Sequence, residues 1–92
     1  MHEKLDALRT QIDGIDDQLA ELFLQRMQVV EKVAQLKREE SISVLHSERE
    51  DQILQRLTEG LNSRQARSLE ALYRKMFEIS REAQSCNEKE EE

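Results

Sequence analysis

Proline is absent from the 92 residues, tryptophan is absent too, and glycine occurs only at Gly14 and Gly60. A β-sandwich or barrel would need turn residues roughly every eight to twelve positions, so this poverty excludes both. Cysteine is confined to Cys86, which rules out a disulfide framework and a zinc ribbon. No stretch approaches the roughly 18 apolar residues of a membrane span, and no signal-peptide pattern opens the chain. Basic side chains are in the minority, 14 against 20 acidic, for a net charge of −6. That balance argues against nucleic acid as a partner. Charged and hydrophobic residues each make up 37 % of a 10.9 kDa chain, enough for one domain and no second. What remains is an all-α domain, expected to be soluble and cytoplasmic.

The apolar residues give that expectation its shape. Leu5, Leu8, Ile12, Ile15, Leu19, Leu22, Val29, Val33 and Leu36 alternate in steps of three and four, with position 26 completing the series. Such a heptad seam predicts one helix over residues 4–39, interrupted only by Gly14. The serine-rich, β-branched stretch 40–46 reads as a loop. Ser47-Glu48-Arg49-Glu50 fits a capping box opening a second helix, whose apolar positions are Ile53, Leu54, Leu57 and Leu61, with Gly60 as its stop signal. Asn62 with Gln65 can cap a third helix carrying Leu69, Leu72, Met76, Ile79 and Ala83 to about Gln84. Residues 1–86 are thus expected to form the domain. Residues 87–92, which lack any apolar side chain, are expected to be a disordered acidic tail.

Length turns this into an expectation about assembly. A helix of that extent is about 54 Å long, whereas a compact globule of this size has a radius of gyration near 12 Å. Two shorter helices cannot cover so long a seam. The chain is therefore expected to pair with a second copy as an intertwined helical homodimer.

One seam position is not aliphatic. Arg26 places a guanidinium where burial without a partner is costly, so it needs a carboxylate or a bound anion. A structural ion pair, a register-setting polar position and a ligand site all satisfy that need, and periodicity alone does not choose among them. Lys37 lies three turns further on, on nearly the same face and about 16 Å along the axis, leaving a gap suited to a small dianion. Arg9 is about 25 Å from Arg26 on its own helix, and only an antiparallel partner helix would bring a second copy of it close. Arg49 and Glu50 on the second helix, and Ser80 and Gln84 one turn apart on the third, complete the polar set. Each also has a plainer reading, as a cap, a surface charge or a solvated side chain.

Taken together, the motifs are more specific. Leu8-Arg9, Ile12-Asp13-Gly14-Ile15-Asp16, Leu22-Phe23-Leu24-Gln25-Arg26, Val33-Ala34-Gln35-Leu36-Lys37, Ser47-Glu48-Arg49-Glu50 and Ile79-Ser80-Arg81-Glu82-Ala83-Gln84 occur in the order found in the all-helical (type II) chorismate mutase family, and the sequence resembles that family over about residues 4–85. The resemblance implies a three-helix protomer, a dimer with two active sites shared between chains, and rearrangement of chorismate to prephenate on the route to phenylalanine and tyrosine. It implies neither cofactor nor metal, because a concerted intramolecular rearrangement needs only a held dicarboxylate and well-placed charge. By the same resemblance Lys37 and Gln84 serve the ether oxygen, Glu50 accepts from the ring hydroxyl, and Arg26 with Arg9 of the second chain clamps the carboxylates. Ser80 and Arg49 support the ring side.

One departure stands out. His46 occupies a position where the family often has Asp, and the change bears on recognition of the hydroxyl. Isochorismate-pyruvate lyase on the same fold, and a non-catalytic helical dimerisation or regulatory module, are the competing expectations. The Arg49-Glu50 pair together with Ser80 and Gln84 favours the mutase over the lyase.

Overall fold

A computed structural model describes residues 2–42 and 47–90, with side chains placed for 2–42 and 48–84. It contains three helices, α1 (Glu3–Glu40), α2 (Ser47–Thr58) and α3 (Ser63–Glu90), and no strand among the described residues. Each boundary has a local cause. Glu3 and Asp6 sit in the first turn of α1 and Lys37 and Arg38 in its last, so charge opposes the helix dipole at both ends. The chain leaves α1 through Ser41, held in the left-handed region at φ 58°. There the N–H of Ile42 donates to the carbonyl of Lys37 at 2.8 Å and that of Ser41 to Arg38 at 3.4 Å, closing the helix in a Schellman turn. Gly60, at φ 79°, ends α2 as its position predicts. Asn62 caps α3 through its Oδ1, which accepts from the N–H of Gln65 at 2.8 Å, and Gln65 Oε1 accepts from the N–H of Asn62 at 3.4 Å.

Two expectations about the ends fare differently. α1 begins and ends within a residue of where the heptads place it. α3 runs past Gln84 to Glu90, so the backbone of residues 87–90, expected to be disordered, continues the helix. Nothing in the sequence stops it: no glycine or proline follows Gln84, and Glu and Lys are good helix formers. Residues 43–46, and with them His46, lie outside the described residues, as do 91 and 92.

The helices are arranged in one layer. α3 packs against α1 on one side and α2 on the other. α2 folds back on α3 through the turn at Gly60, which brings Glu50 near the start of α2 beside Arg81 of α3. Along α1 and α3, Arg26 meets Ser80 while Asp16 to Phe23 face Leu69 to Met76, so these two helices rise side by side in the same direction. The chain measures 58 × 29 × 14 Å with a radius of gyration of 17.1 Å. Its thickness is little more than the roughly 10–12 Å diameter of one helix.

A single layer cannot bury both of its faces. Only Ala34, Leu54 and Phe77 are buried apolar residues among those described. The stripe that α1 turns toward α3 is Phe23, Met27, Val30 and Ala34, not its heptad seam. The aliphatic residues of the seam stand open, from Val33 at 40 % exposure to Leu22 at 60 % and Ile15 at 62 %. On α3 the most buried residues are likewise not the expected Leu69–Ala83 series. They are Phe77, Ser80 and Gln84, while Leu72 is exposed.

Candidate active site

The site grows from the inner stripes of α1 and α3. Arg26 is half-buried where the two helices meet, and its Nη1 donates to Ser80 Oγ at 3.0 Å. Its guanidinium carbon stands 5.9 Å from the centroid of the Phe77 ring, a cation–π distance. Phe77 is in turn fixed edge-on by Tyr73, with ring centroids 5.9 Å apart and planes inclined at 66°. Among the described residues no carboxylate forms an ion pair with Arg26. Of the readings left open for this seam cation, the described residues supply a hydroxyl partner, Ser80, and no acid. Among the described residues the guanidinium has one hydrogen-bond partner, a hydroxyl, and most of its donors remain for an anion.

Ser80 and Gln84 lie one turn apart on α3 and are both buried, at 7 % and 6 % exposure. Gln84 Nε2 donates to the carbonyl of Ser80 at 3.3 Å. That contact fixes the amide orientation, since the reversed amide would set two carbonyl oxygens against each other. Gln84 Oε1 is buried and accepts no hydrogen bond among the described residues. A buried orphan acceptor is costly in a merely structural amide and is the kind of exception found where a ligand or catalytic group completes the network.

On the other side of α3, Arg81 Nη1 forms a charge-assisted hydrogen bond with Glu50 Oε2. Glu50 was open to reading as the closing residue of a capping box; here its carboxylate reaches across to a different helix. Lys37 is half-buried in the last turn of α1, and Arg49 is exposed in the first turn of α2. Arg9 is exposed on the free half of α1 and is not brought to Arg26 within the chain. The expected set thus divides. Arg26, Ser80 and Gln84 form one bonded cluster, Glu50 joins it through the neighbouring residue Arg81, and Arg9 stands apart. Two residues that sequence reasoning passed over, Phe77 and Arg81, orient its members. Glu50 gave a usable signal for Arg81: it lies one turn before Leu54, on the stripe that packs against α3, where an acid calls for a facing cation.

Apart from the polar cluster there is an apolar groove of about 630 Å³ between α1 and α3, lined by Leu19, Leu22, Phe23, Leu72, Met76 and Ile79 together with Arg26. A dianion has no reason to enter such a groove; an apolar helix face does. Among the described residues no cluster of His, Cys, Asp and Glu could hold a metal ion, and no helix is long and apolar enough to cross a membrane.

The family model for chorismate mutase type II matches residues 8–85, nearly the whole chain. No curated protein gives a significant match.

Proposed function

The chain belongs to the chorismate mutase type II family, and from that premise we propose that it catalyses the Claisen rearrangement of chorismate to prephenate, the committed step toward phenylalanine and tyrosine in the cytoplasm. The observation that carries the reading is the Arg26–Ser80–Gln84 cluster: a guanidinium with a hydroxyl and no acid as partner among the described residues, beside a buried amide that keeps one N–H to donate. Such a group suits a small dicarboxylate better than it suits a core.

In this reading Arg26 and Arg9 of a second copy hold the two carboxylates through charge-assisted hydrogen bonds. The substrate's vinyl ether arm is thereby folded over its ring, close to the geometry in which the new carbon–carbon bond forms. As the carbon–oxygen bond breaks, the ether oxygen gains negative charge. Lys37 and the remaining N–H of Gln84 Nε2 donate to it there and stabilise the transition state more than the ground state. Glu50 accepts from the ring hydroxyl, and Ser80 and Arg49 support the ring and its carboxylate. His46 is kept as a candidate contact of the hydroxyl side. No nucleophile, proton transfer or cofactor is required.

The reading includes a homodimer with sites shared between chains. It is supported by the exposed seam, the single-layer shape and the position of Arg9, which nothing in its own chain brings to Arg26.

The test is direct. Purified protein incubated with chorismate should yield prephenate, identified by NMR, and Lys37→Ala should lower kcat by about 10² to 10³ or more, as expected for loss of a transition-state donor. Unchanged chorismate, or release of salicylate and pyruvate from isochorismate in its place, would sink the assignment.

A further inference from the structure

We propose that Arg81 is a positioning residue for recognition of the substrate's ring hydroxyl, acting through Glu50; the inference rests on the mutase reading above and adds a residue to it. The two consecutive residues Ser80 and Arg81 point to different helices. Ser80 Oγ receives Arg26 of α1, while Arg81 donates to Glu50 of α2. Successive residues of a helix are turned about 100° from each other, so this pair ties both neighbours to α3 at one level.

Glu50 needs such a tie. It stands on the packing stripe of α2, one turn before buried Leu54, and its side chain is only 21 % exposed. A carboxylate so placed, without a cation, would turn out toward water and away from the site. Arg81 holds it from α3 with its own side chain 35 % exposed, so solvent screens the pair only in part. The bond uses Nη1 and the single oxygen Oε2. Oε1 is then the oxygen assigned to the hydroxyl, and the end-on contact sets the direction in which it faces.

Other parts of the molecule offer less. The apolar groove and the open seam belong to the proposed dimer, and the smaller hollow at Leu61, Arg64 and Leu72 shows nothing that selects an occupant.

A hydroxyl that does not react contributes nearly equally to ground-state and transition-state binding, so loss of its acceptor should appear in KM rather than kcat. In Arg81→Met, which keeps the apolar stem, KM for chorismate should rise about tenfold, in line with one misplaced charge-assisted hydrogen bond, while kcat changes less than about threefold. Arg81→Lys should recover most of the affinity. Combining Arg81→Met with Glu50→Gln should raise KM no further than Glu50→Gln alone. A chorismate analogue lacking the ring hydroxyl should be turned over equally well by the parent and by Arg81→Met.

Several results would overturn the proposal. One is a parental KM in Arg81→Met; another is additive losses in the double variant; a third is an undiminished Arg81 effect on the analogue. A fall in kcat accompanied by a lower melting temperature and an unchanged KM would mark Arg81 as a purely structural strut, and Arg81→Lys tests the same point should Arg81→Met fold poorly. The mutase reading fails separately: the parent protein would then leave chorismate unconverted.

Discussion

α1 is one helix in one heptad register, yet its two halves live differently. From Glu3 to Leu22 every residue is exposed, including six large aliphatics of the seam. From Phe23 to Arg38 the helix turns a second stripe onto α3, and Arg26, Met27, Val30, Ala34 and Lys37 are wholly or partly buried. Propensity does not separate the halves; tertiary contact does. Isolated helices are marginal in water and draw most of their stability from packing of an apolar face. The second half has such a face inside the chain. The first half carries its apolar face outward, next to an apolar groove that matches it in character. The half that holds the polar cluster is thus built by the chain itself, while the half that carries Arg9 calls for a cover from outside.

The largest expected effect comes from charging the open face. Ile15→Asp lies where an unpartnered chain would scarcely notice it, because exposed substitutions usually change stability by about 0.5 kcal/mol or less. If a second copy covers the seam, the same carboxylate is buried unpaired and costs several kcal/mol. Sedimentation at micromolar concentration should then show the parent as a dimer and Ile15→Asp as a monomer with reduced helicity and no measurable turnover. Leu24→Asp is the control. Leu24 is equally exposed, at 61 %, but lies off the seam, so that variant should remain dimeric and active. Identical sedimentation of parent and Ile15→Asp would remove the contrast between the halves.

A smaller but more pointed effect tests whether the two halves complete each other across chains. Arg9→Ala and Lys37→Ala proteins each carry two defective sites. Unfolded together and refolded at equal amounts, they should pair at random. Half of the dimers would then be mixed, each with one intact site, and about a quarter of the parental activity should return. Sites confined to one chain would regain nothing above the sum of the two variants.

How far the sequence reveals this molecule depends on which face is asked about. The heptads specify α1 almost to the residue because a long strict period has one helical solution. Asn62 and Gln65 announce the start of α3 because the capping box is local chemistry, complete within four residues. Arg26 was visible as the one cation in an aliphatic series. The inner stripe of α3 was not visible, since two of its three most buried members, Ser80 and Gln84, are polar and the apolar series Leu69, Leu72, Met76 and Ile79 points to the neighbouring groove instead. Periodicity detects apolar faces and does not say which one the chain itself covers. The Arg81–Glu50 bond was hidden for another reason. It joins residues 31 positions apart on different helices, and Glu50 had a sufficient local explanation as a cap.

The smallest expected effect compares the chain's two glycines and sharpens the contrast at backbone level. Gly14 sits inside the exposed half of α1, on the flank of the seam, and a methyl group added there meets nothing within 4 Å in the chain. Gly14→Ala should therefore stabilise the helix by about 1 kcal/mol, raising the melting temperature by roughly 4 °C or more. Gly60 also has open space around it, but its φ of 79° lies where an L side chain is strained, so Gly60→Ala should lower stability by about 1 kcal/mol. The sign at Gly14 carries more information than its size. A second copy that packs only along the seam leaves the flank free and the alanine stabilises; one whose backbone crosses close over Gly14 would clash with the new methyl, and calorimetry would record a loss. Thermal scans of the two variants at several protein concentrations separate these outcomes, because a clash between chains weakens with dilution while helix propensity does not.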